Sequence, residues 1–377
     1  MINKNVIALG FVSFFTDFAS SMLTSILPIF IVYVLKEGID KLGFVVAAAT
    51  FVSYAFRVVF GYLSDRYGCV KPFIVGGYLL SAITKPILYF ADNWQQIAVL
   101  RGTERMGKAI RSASKDSLIS AYSGRKTGKS FGFHKMMDEA GETSGAILAF
   151  AVLYLFGKSE IIFRDIFAFT LVPGIFAVIT AIFFINEIPH QKKVQKFDLK
   201  KDYGVLPLLF IYFSFVFFIF NESFFMIKAK ESGIKIEYIP LLAVVLNLTQ
   251  TFLSYYVGVK IDKIGYKKIF LISLFFGIFS MIGLYFNFIV LGFIFLGIFI
   301  IGSLNSIRSY ISINAHNKGT VYGILYGGVA LFGALGAIII GLIWKIYGES
   351  GAVIFSLTGL ILILIIFLTS FYSSKIP

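Results

Sequence analysis

The sequence holds a single cysteine, Cys69, in 377 residues, so it has no internal disulfide and no cysteine-based metal cluster. Histidine is nearly as scarce. Of the three, His190 and His316 fall in loop stretches, which leaves no imidazole set spaced for a metal. Charge is also low, at 14% of residues, where a soluble globular domain carries about 25%. Negative charge is the scarcer sign, with 20 Asp and Glu against 34 Lys and Arg. No HExxH, P-loop or CxxC pattern occurs and no appended soluble domain offers a catalytic centre, so neither an enzyme nor a cofactor is expected. No small-residue cleavage site follows the apolar N-terminal stretch. That stretch, running to about Tyr33, reads as a retained first span and not as a removed signal peptide.

What fills the chain instead is apolar. Hydrophobic residues make up 58%, with 44 Phe and 20 Tyr, and the mean hydropathy is +0.86. Long Phe, Ile and Leu runs without period-2 alternation point to an all-α integral membrane protein, not a barrel. Hydropathy alone marks ten spans, at about 6–34, 42–63, 73–91, 166–186, 205–227, 237–259, 269–287, 289–311, 320–345 and 352–372. The stretch from Gln95 to Phe156 is ambiguous, because its first part is too charged and its second becomes apolar only after Gly145.

An internal repeat resolves that stretch. Gly61-Tyr-Leu-Ser-Asp65-Arg66-Tyr-Gly68-Cys-Val-Lys71 recurs 197 residues later as Gly258-Val-Lys-Ile-Asp262-Lys263-Ile-Gly265-Tyr-Lys267-Lys268. The same offset sets Arg111-Ser112 on Arg308-Ser309, which lies in a plainly spanning segment. At an offset of 191, Phe131-Gly132-Phe133 falls on Tyr322-Gly323-Ile324 and Gly145-Ala146 on Gly336-Ala337. The charged stretch therefore corresponds to ordinary spans. The expected architecture is twelve transmembrane helices in two six-helix bundles, 1–186 and 205–377, joined by a basic linker at 187–204. Counting Lys and Arg between spans puts both termini in the cytoplasm of a multi-pass cell-membrane protein. The formal charge of +14 then reflects this positive-inside bias and not a nucleic-acid partner.

Charge inside the spans is the most informative feature. Arg101, Glu104, Arg105, Lys108, Arg111 and Lys115 recur every three or four residues, so a helix would gather them within an arc of about 120°. Leaving an Arg, Lys or Asp against lipid at the bilayer centre costs about 2.5–3.5 kcal/mol on insertion scales, so this face belongs against a polar interior. The fifth span carries His134, Lys135, Asp138, Glu139 and Glu142, the first offers Asp17 and the seventh Glu222. Aligning the fourth and fifth spans antiparallel sets Glu142 level with Lys108, Asp138 and Glu139 near Arg111 and Lys115, and Asp116 near Lys135 and His134. Toward the other end Arg101 and Arg105 have Glu104 as their nearby acid, and Lys85 lies at the same level.

Two readings of that end stay open. Arg101, Arg105 and Lys85, with Arg308 as the repeat partner of Arg111, bind an anionic group, for which the guanidinium fork suits carboxylate or phosphate. Alternatively Glu104 bridges both arginines and Lys85 snorkels outward. For the other end, Asp17, Arg111, Asp138, Glu139, Glu142 and Glu222 form either a proton-coupling network or a permanently ionised packing network. His134 reads as a hydrogen-bonded core residue more than as a relay.

Twelve helices, a basic linker at midpoint and the doubled loop motif resemble the major facilitator superfamily over the whole chain. The runs RGTERMGKAIR, FGFHKMMDEAG and SFFTDFASSM are similar to a little-characterised prokaryotic branch, in which an acidic residue is common where Ser21 stands here. The resemblance implies that Gly61 permits close helix contact and that Asp65, Arg66, Gly68 and Lys71, with Asp262 in the second half, form a gating network. It also implies a monomeric secondary transporter working by alternating access across the lipid bilayer. Joined to the charge pattern, the expected cargo is a small organic anion or zwitterion coupled to protons. A multidrug efflux antiporter is the first alternative, and an intramembrane lipid-modifying enzyme or scaffold the second.

Overall fold

The computed structural model describes residues 3–123, 127–187 and 200–372. It is all helix. Among the described residues the long helices are α1 Lys4–Thr24, α2 Ile39–Tyr67, α3 Lys71–Ile87, α4 Trp94–Ser123, α5 Thr127–Phe156, α6 Glu160–Phe169 and α7 Leu171–Phe184. After the linker come α8 Leu206–Phe218, α9 Glu222–Glu231, α10 Ile239–Ile264, α11 Tyr266–Tyr285, α12 Ile289–Asn314 and α13 Lys318–Phe367. Most of the linker expected at 187–204 lies outside the described residues.

Helix ends follow local chemistry. Asn3 caps α1 by accepting the Asn5 amide at 2.9 Å, and Asn221 caps α9 by accepting the Ser223 amide at 3.0 Å. Gly68, at φ 65°, ends α2 in the left-handed conformation that L side chains rarely adopt, and Pro72 opens α3 where no amide is needed. Spans are interrupted where the backbone changes course. The first passes from α1 through a turn at Leu27-Pro28-Ile29 into Phe30–Val34, the seventh is split between α8 and α9 by an extended Ile219, and α13 carries a non-helical Gly348 at φ 75° and ψ 178°.

Ten helical segments among the described residues are long and apolar enough to cross a membrane, counting Gly319–Ser370 once. The segment Lys129–Phe156 is among them, although hydropathy left it open, and Glu160–Phe184 begins earlier than the expected 166. Helix α4, at 30 residues, is too charged to join them. The chain is thus an all-α, multi-spanning membrane protein.

Two compact units are present. One comprises Met1–Glu37, Ala48–Gln195 and Lys235–Val244, and the other Gly38–Ala47, Lys196–Ile234 and Val245–Pro377. Lipid is as apolar as these side chains, so helix association rests on close packing more than on a solvent-driven hydrophobic effect. In the first unit Leu9, Val12, Ile74, Tyr78, Leu118, Ile119 and Ala181 form one buried cluster, and Phe30 meets Phe167 edge to face at 5.0 Å. The second unit is built on rings, with Trp344 stacked on Phe220 and Phe224, and Phe225 against Phe293. Glycine brings backbones together in both units. A Cβ on Gly145 would overlap the Phe18 carbonyl oxygen, and one on Gly336 the Phe217 carbonyl oxygen, so repeat-related glycines make the same kind of contact.

Candidate functional site

The charged face of α4 is turned inward. A Cβ on Gly77 would lie 2.6 Å from the Gly107 carbonyl oxygen, and one on Gly107 2.6 Å from that of Gly77, so α3 and α4 touch backbone to backbone. Gly141 and Gly145 set α5 against α1 in the same way. These contacts leave the long side chains of α4 to reach across its neighbours. Arg101 and Arg111 are each 5% exposed and Glu104 is fully buried.

Glu104 organises one end of this face. Arg101 Nη1 donates to its Oε2 at 2.9 Å, Arg105 Nε lies 3.3 Å from the same oxygen, and Ser81 Oγ donates to Oε1 at 3.3 Å. The bridging alternative is thus the arrangement adopted at Glu104. Lys85 does not snorkel outward. It is 1% exposed and donates its ammonium to the Thr16 carbonyl oxygen at 3.1 Å, across to α1. A buried ammonium needs such partners, because removing it from water costs several kcal/mol, roughly, before any attraction is counted.

A second cluster joins α1, α3, α4 and α5. His134 Nε2 is 2.8 Å from Ser13 Oγ, and its Nδ1 is 3.4 Å from Asp138 Oδ1. Lys115 Nζ donates to Ser13 Oγ at 3.2 Å and stands 4.0 Å from Asp138 Oδ2, which closes a ring of four side chains. Tyr78 extends it, its hydroxyl 3.5 Å from Ser13 Oγ and its ring 4.5 Å beneath the Arg111 guanidinium. Lys135 pairs with Glu139 on its own helix. Lys108 lies within electrostatic range of Asp17, Glu142, Arg105 and Arg111. Arg111 Nη1, Glu139 Oε2 and Thr16 Oγ1 are buried with no hydrogen-bond partner among the described residues.

Several expected placements differ. Asp116 is exposed, and His134 meets Ser13 and Asp138 instead. Glu139 turns to Lys135, whereas Asp138 does face Lys115. Arg308 is exposed, unlike its repeat partner Arg111, and its carbonyl accepts the Tyr322 hydroxyl at 3.2 Å. Asp17 lies on α1 in the first unit and its seventh-span counterpart Glu222 in the first turn of α9 in the second, which is no departure from the expectation. Ser13, Thr16, Tyr78 and Ser81 were not anticipated, since uncharged polar groups in apolar helices give no signal in a charge count. Arg57, which donates to Ser112 Oγ at 3.3 Å, was legible: it is an ionisable residue inside an apolar span.

The loop motif is also met by an acid outside it, Glu187. The Asp65 side chain lies outside the described residues, and Arg66 and Asp262 are exposed. Gly61 does pack closely, since a Cβ there would meet Ala113 at 3.2 Å. The carboxylate of Glu187, just after α7, accepts the Val70 amide at 3.0 Å and the Lys71 amide at 2.8 Å, while Lys71 Nζ donates to the Ile182 carbonyl oxygen at 2.7 Å.

An ionic cluster buried within a multi-spanning helical protein marks a functional site in the membrane. The chain belongs to the Major Facilitator Superfamily, whose model matches residues 9–337. An uncharacterized MFS-type transporter of Methanocaldococcus jannaschii is 31% identical over 97% of this chain and 95% of its own length. An uncharacterized protein of Mycobacterium tuberculosis is 32% identical over 33% of this chain and 32% of its own. Among solved structures, the nucleoside transporter NupG superposes with a TM-score of 0.76 at 14% identity, over 98% of this chain and 99% of that one. A POT family transporter in complex with 5-aminolevulinic acid gives 0.73 at 12% identity, over 97% and 96%, and a D-xylose-proton symporter 0.72 at 15%, over 98% and 97%. These likenesses establish the fold. The protein is a multi-pass carrier of the cell membrane, a secondary transporter of small molecules and not an enzyme.

Proposed function

We propose that this carrier moves a small organic anion or zwitterion by alternating access, coupled to protons. The observation that carries the reading is the sign of the buried cluster. Lys85, Arg101, Arg105, Lys108, Arg111 and Lys115 gather on α3 and α4, whereas the acids beside them are Asp17, Glu104, Asp138 and Glu142, together with Glu139, which is paired with Lys135. An anionic substrate would balance the excess, with Arg101, Arg105 and Lys85 as its binding groups. Glu104 holds the two guanidiniums until the substrate carboxylate or phosphate competes for them.

Coupling is assigned to the ring of Ser13, Lys115, His134 and Asp138, with Asp17, Glu139 and Glu142 beside it. Proton exchange there would change the net charge that the cluster presents to the substrate. In this reading the spans number twelve, because α4 is a span despite its charge and Gly348 divides α13 into two. The bundles are 1–186 and 205–377, the linker and both termini are cytoplasmic, the loop residues Asp65, Arg66, Lys71 and Asp262 belong to the cytoplasmic gate, and the carrier works as a monomer.

The test is uptake into proteoliposomes from a panel that includes 5-aminolevulinic acid, a nucleoside, xylose, simple carboxylates and lipophilic cations, with and without a pH gradient. The expected result is uptake of an anionic or zwitterionic member, stimulated by the gradient and abolished by Arg101→Gln with Arg105→Gln. Transport of lipophilic cations alone, untouched by those substitutions, would establish the multidrug reading instead.

A further inference from the structure

Within the spans of the first unit, the ion pairs described above pass over two half-buried acids. Glu104 meets Arg101 and Arg105, Asp138 meets Lys115 and His134, and Glu139 meets Lys135. Asp17 on α1 and Glu142 on α5 have no hydrogen bond and no base at ion-pair distance among the described residues. Both lie within electrostatic range of each other and of Lys108 on α4. Backbone contact sets their common level. A Cβ on Gly141 would overlap the Phe14 carbonyl oxygen and one on Gly145 that of Phe18, so Asp17 and Glu142, which fall between those contacts, stand within about one helical turn of each other.

Two acids face one base at this level, and like charges repel strongly where water is scarce. Acceptors are unfilled as well. Thr16 Oγ1, next to Asp17, and Glu139 Oε2, on the same face of α5 as Glu142, are buried and have no hydrogen-bond partner among the described residues. A water molecule would fill these acceptors and leave the charge. A proton shared by the two acids would cancel the charge and leave the acceptors. An ammonium, with one positive charge and three N–H donors, answers both.

The neighbouring level has the opposite sign. There Lys85, Arg101 and Arg105 surround Glu104, and Lys85 reaches the carbonyl oxygen of Thr16, the residue before Asp17. Glu104 and Lys108 are four residues apart on α4, about 6 Å along its axis. On the other side of Lys108 the Arg111 guanidinium is laid on the Tyr78 ring. A molecule with a carboxylate at the Glu104 level and an ammonium at the Asp17 level would reduce the charge excess at both. Five single bonds of about 1.5 Å, in zigzag, span roughly 6 Å. That is the spacing of an ω-amino acid, whereas the two bonds of an α-amino acid fall short of it.

We propose that Asp17 and Glu142, with Thr16 and Glu139 beside them, bind the ammonium of a zwitterionic cargo whose carboxylate lies at Lys85, Arg101 and Arg105, about five bonds away. The proposal rests on the anion reading and narrows it to an ω-amino acid; the ring of Ser13, Lys115, His134 and Asp138 keeps the coupling role. The experiment is calorimetric titration of the purified full-length protein with glycine, γ-aminobutyrate, δ-aminovalerate, ε-aminocaproate, valerate, glutarate and pentylamine, in sodium-free buffer and in sodium. Among these, δ-aminovalerate is expected to bind about tenfold or more tighter than valerate and than glycine. Asp17→Asn and Glu142→Gln are each expected to bring the δ-aminovalerate to valerate ratio close to one, and the charge-keeping Asp17→Glu to retain it. Arg101→Gln is expected to weaken both ligands by a similar factor. Valerate, glutarate or glycine binding as tightly as δ-aminovalerate would overturn the proposal and leave the anion reading standing. Sodium that tightens valerate as much as the amino group does, with the gain lost in Asp17→Asn, would replace the ammonium by an inorganic cation. Binding of pentylamine alone, or of no carboxylate in the series, would overturn both readings.

Discussion

Replacing Glu104 with Gln tests whether the cationic face depends on one shared carboxylate. The substitution keeps the shape of the side chain and removes its charge. In the folded protein Arg101 and Arg105 both reach Glu104, at 2.9 and 3.3 Å, in surroundings where Glu104 is fully buried and Arg101 is 5% exposed. Breaking a buried ion pair by removing one member costs about 3–5 kcal/mol, because the remaining charge stays desolvated. With an unfolding entropy of roughly 2.1 cal/mol/K per residue, a chain of this length should lose about 4–6 °C of Tm. The assay is thermal unfolding of the purified protein in detergent, alongside Arg101→Gln and the double variant. Glu104→Gln is expected to fall by that amount, and the double variant to recover about 1–3 kcal/mol relative to the sum of the singles. If the cluster binds an anion, saturating ligand at about 100 times its Kd should restore roughly 2.7 kcal/mol. A Glu104→Gln protein within about 0.5 kcal/mol of the parent, with additive singles, would refute the idea that this carboxylate holds the face together.

The opposite sign is expected at Lys85, since Lys85→Met removes a cation from a cluster already rich in them. Its Tm should hold or rise while anion uptake falls, and a loss as large as that of Glu104→Gln would contradict the charge excess. Gly145→Ala places a methyl against the Phe18 carbonyl oxygen and should cost about 1–3 kcal/mol in the same thermal assay. Gly132→Ala, with nothing within 4 Å, should be neutral or stabilising by up to about 1 kcal/mol. Glu187→Gln should speed hydrogen exchange at the Val70 and Lys71 amides, which the carboxylate accepts, and leave exchange in α5 unchanged.

The sequence by itself determined what repeats along one helix or one chain. Hydropathy separates spans from loops because each helix meets lipid on its own, and the doubled loop motif exposes the internal repeat without any knowledge of packing. The charged face of α4 was readable for the same reason: six residues at helical spacing share a side wherever the helix is placed. Even its level with α5 was partly legible, since a rise of about 1.5 Å per residue sets depth, and Lys115 does meet Asp138. Depth was not enough for Asp116, which has the level for His134 but points away. Only the tertiary structure decides the rotation of each helix about its axis and the closeness of its neighbours. That rotation turns Lys85 into the protein toward Thr16, gives Ser13 to both His134 and Lys115, and sends Lys345 to an acid 305 residues away. Partners of this kind come from different helices, so no spacing along the chain records them. They follow from glycines such as Gly77, Gly107, Gly141 and Gly145, which let backbones touch and thereby set which side chains can reach each other.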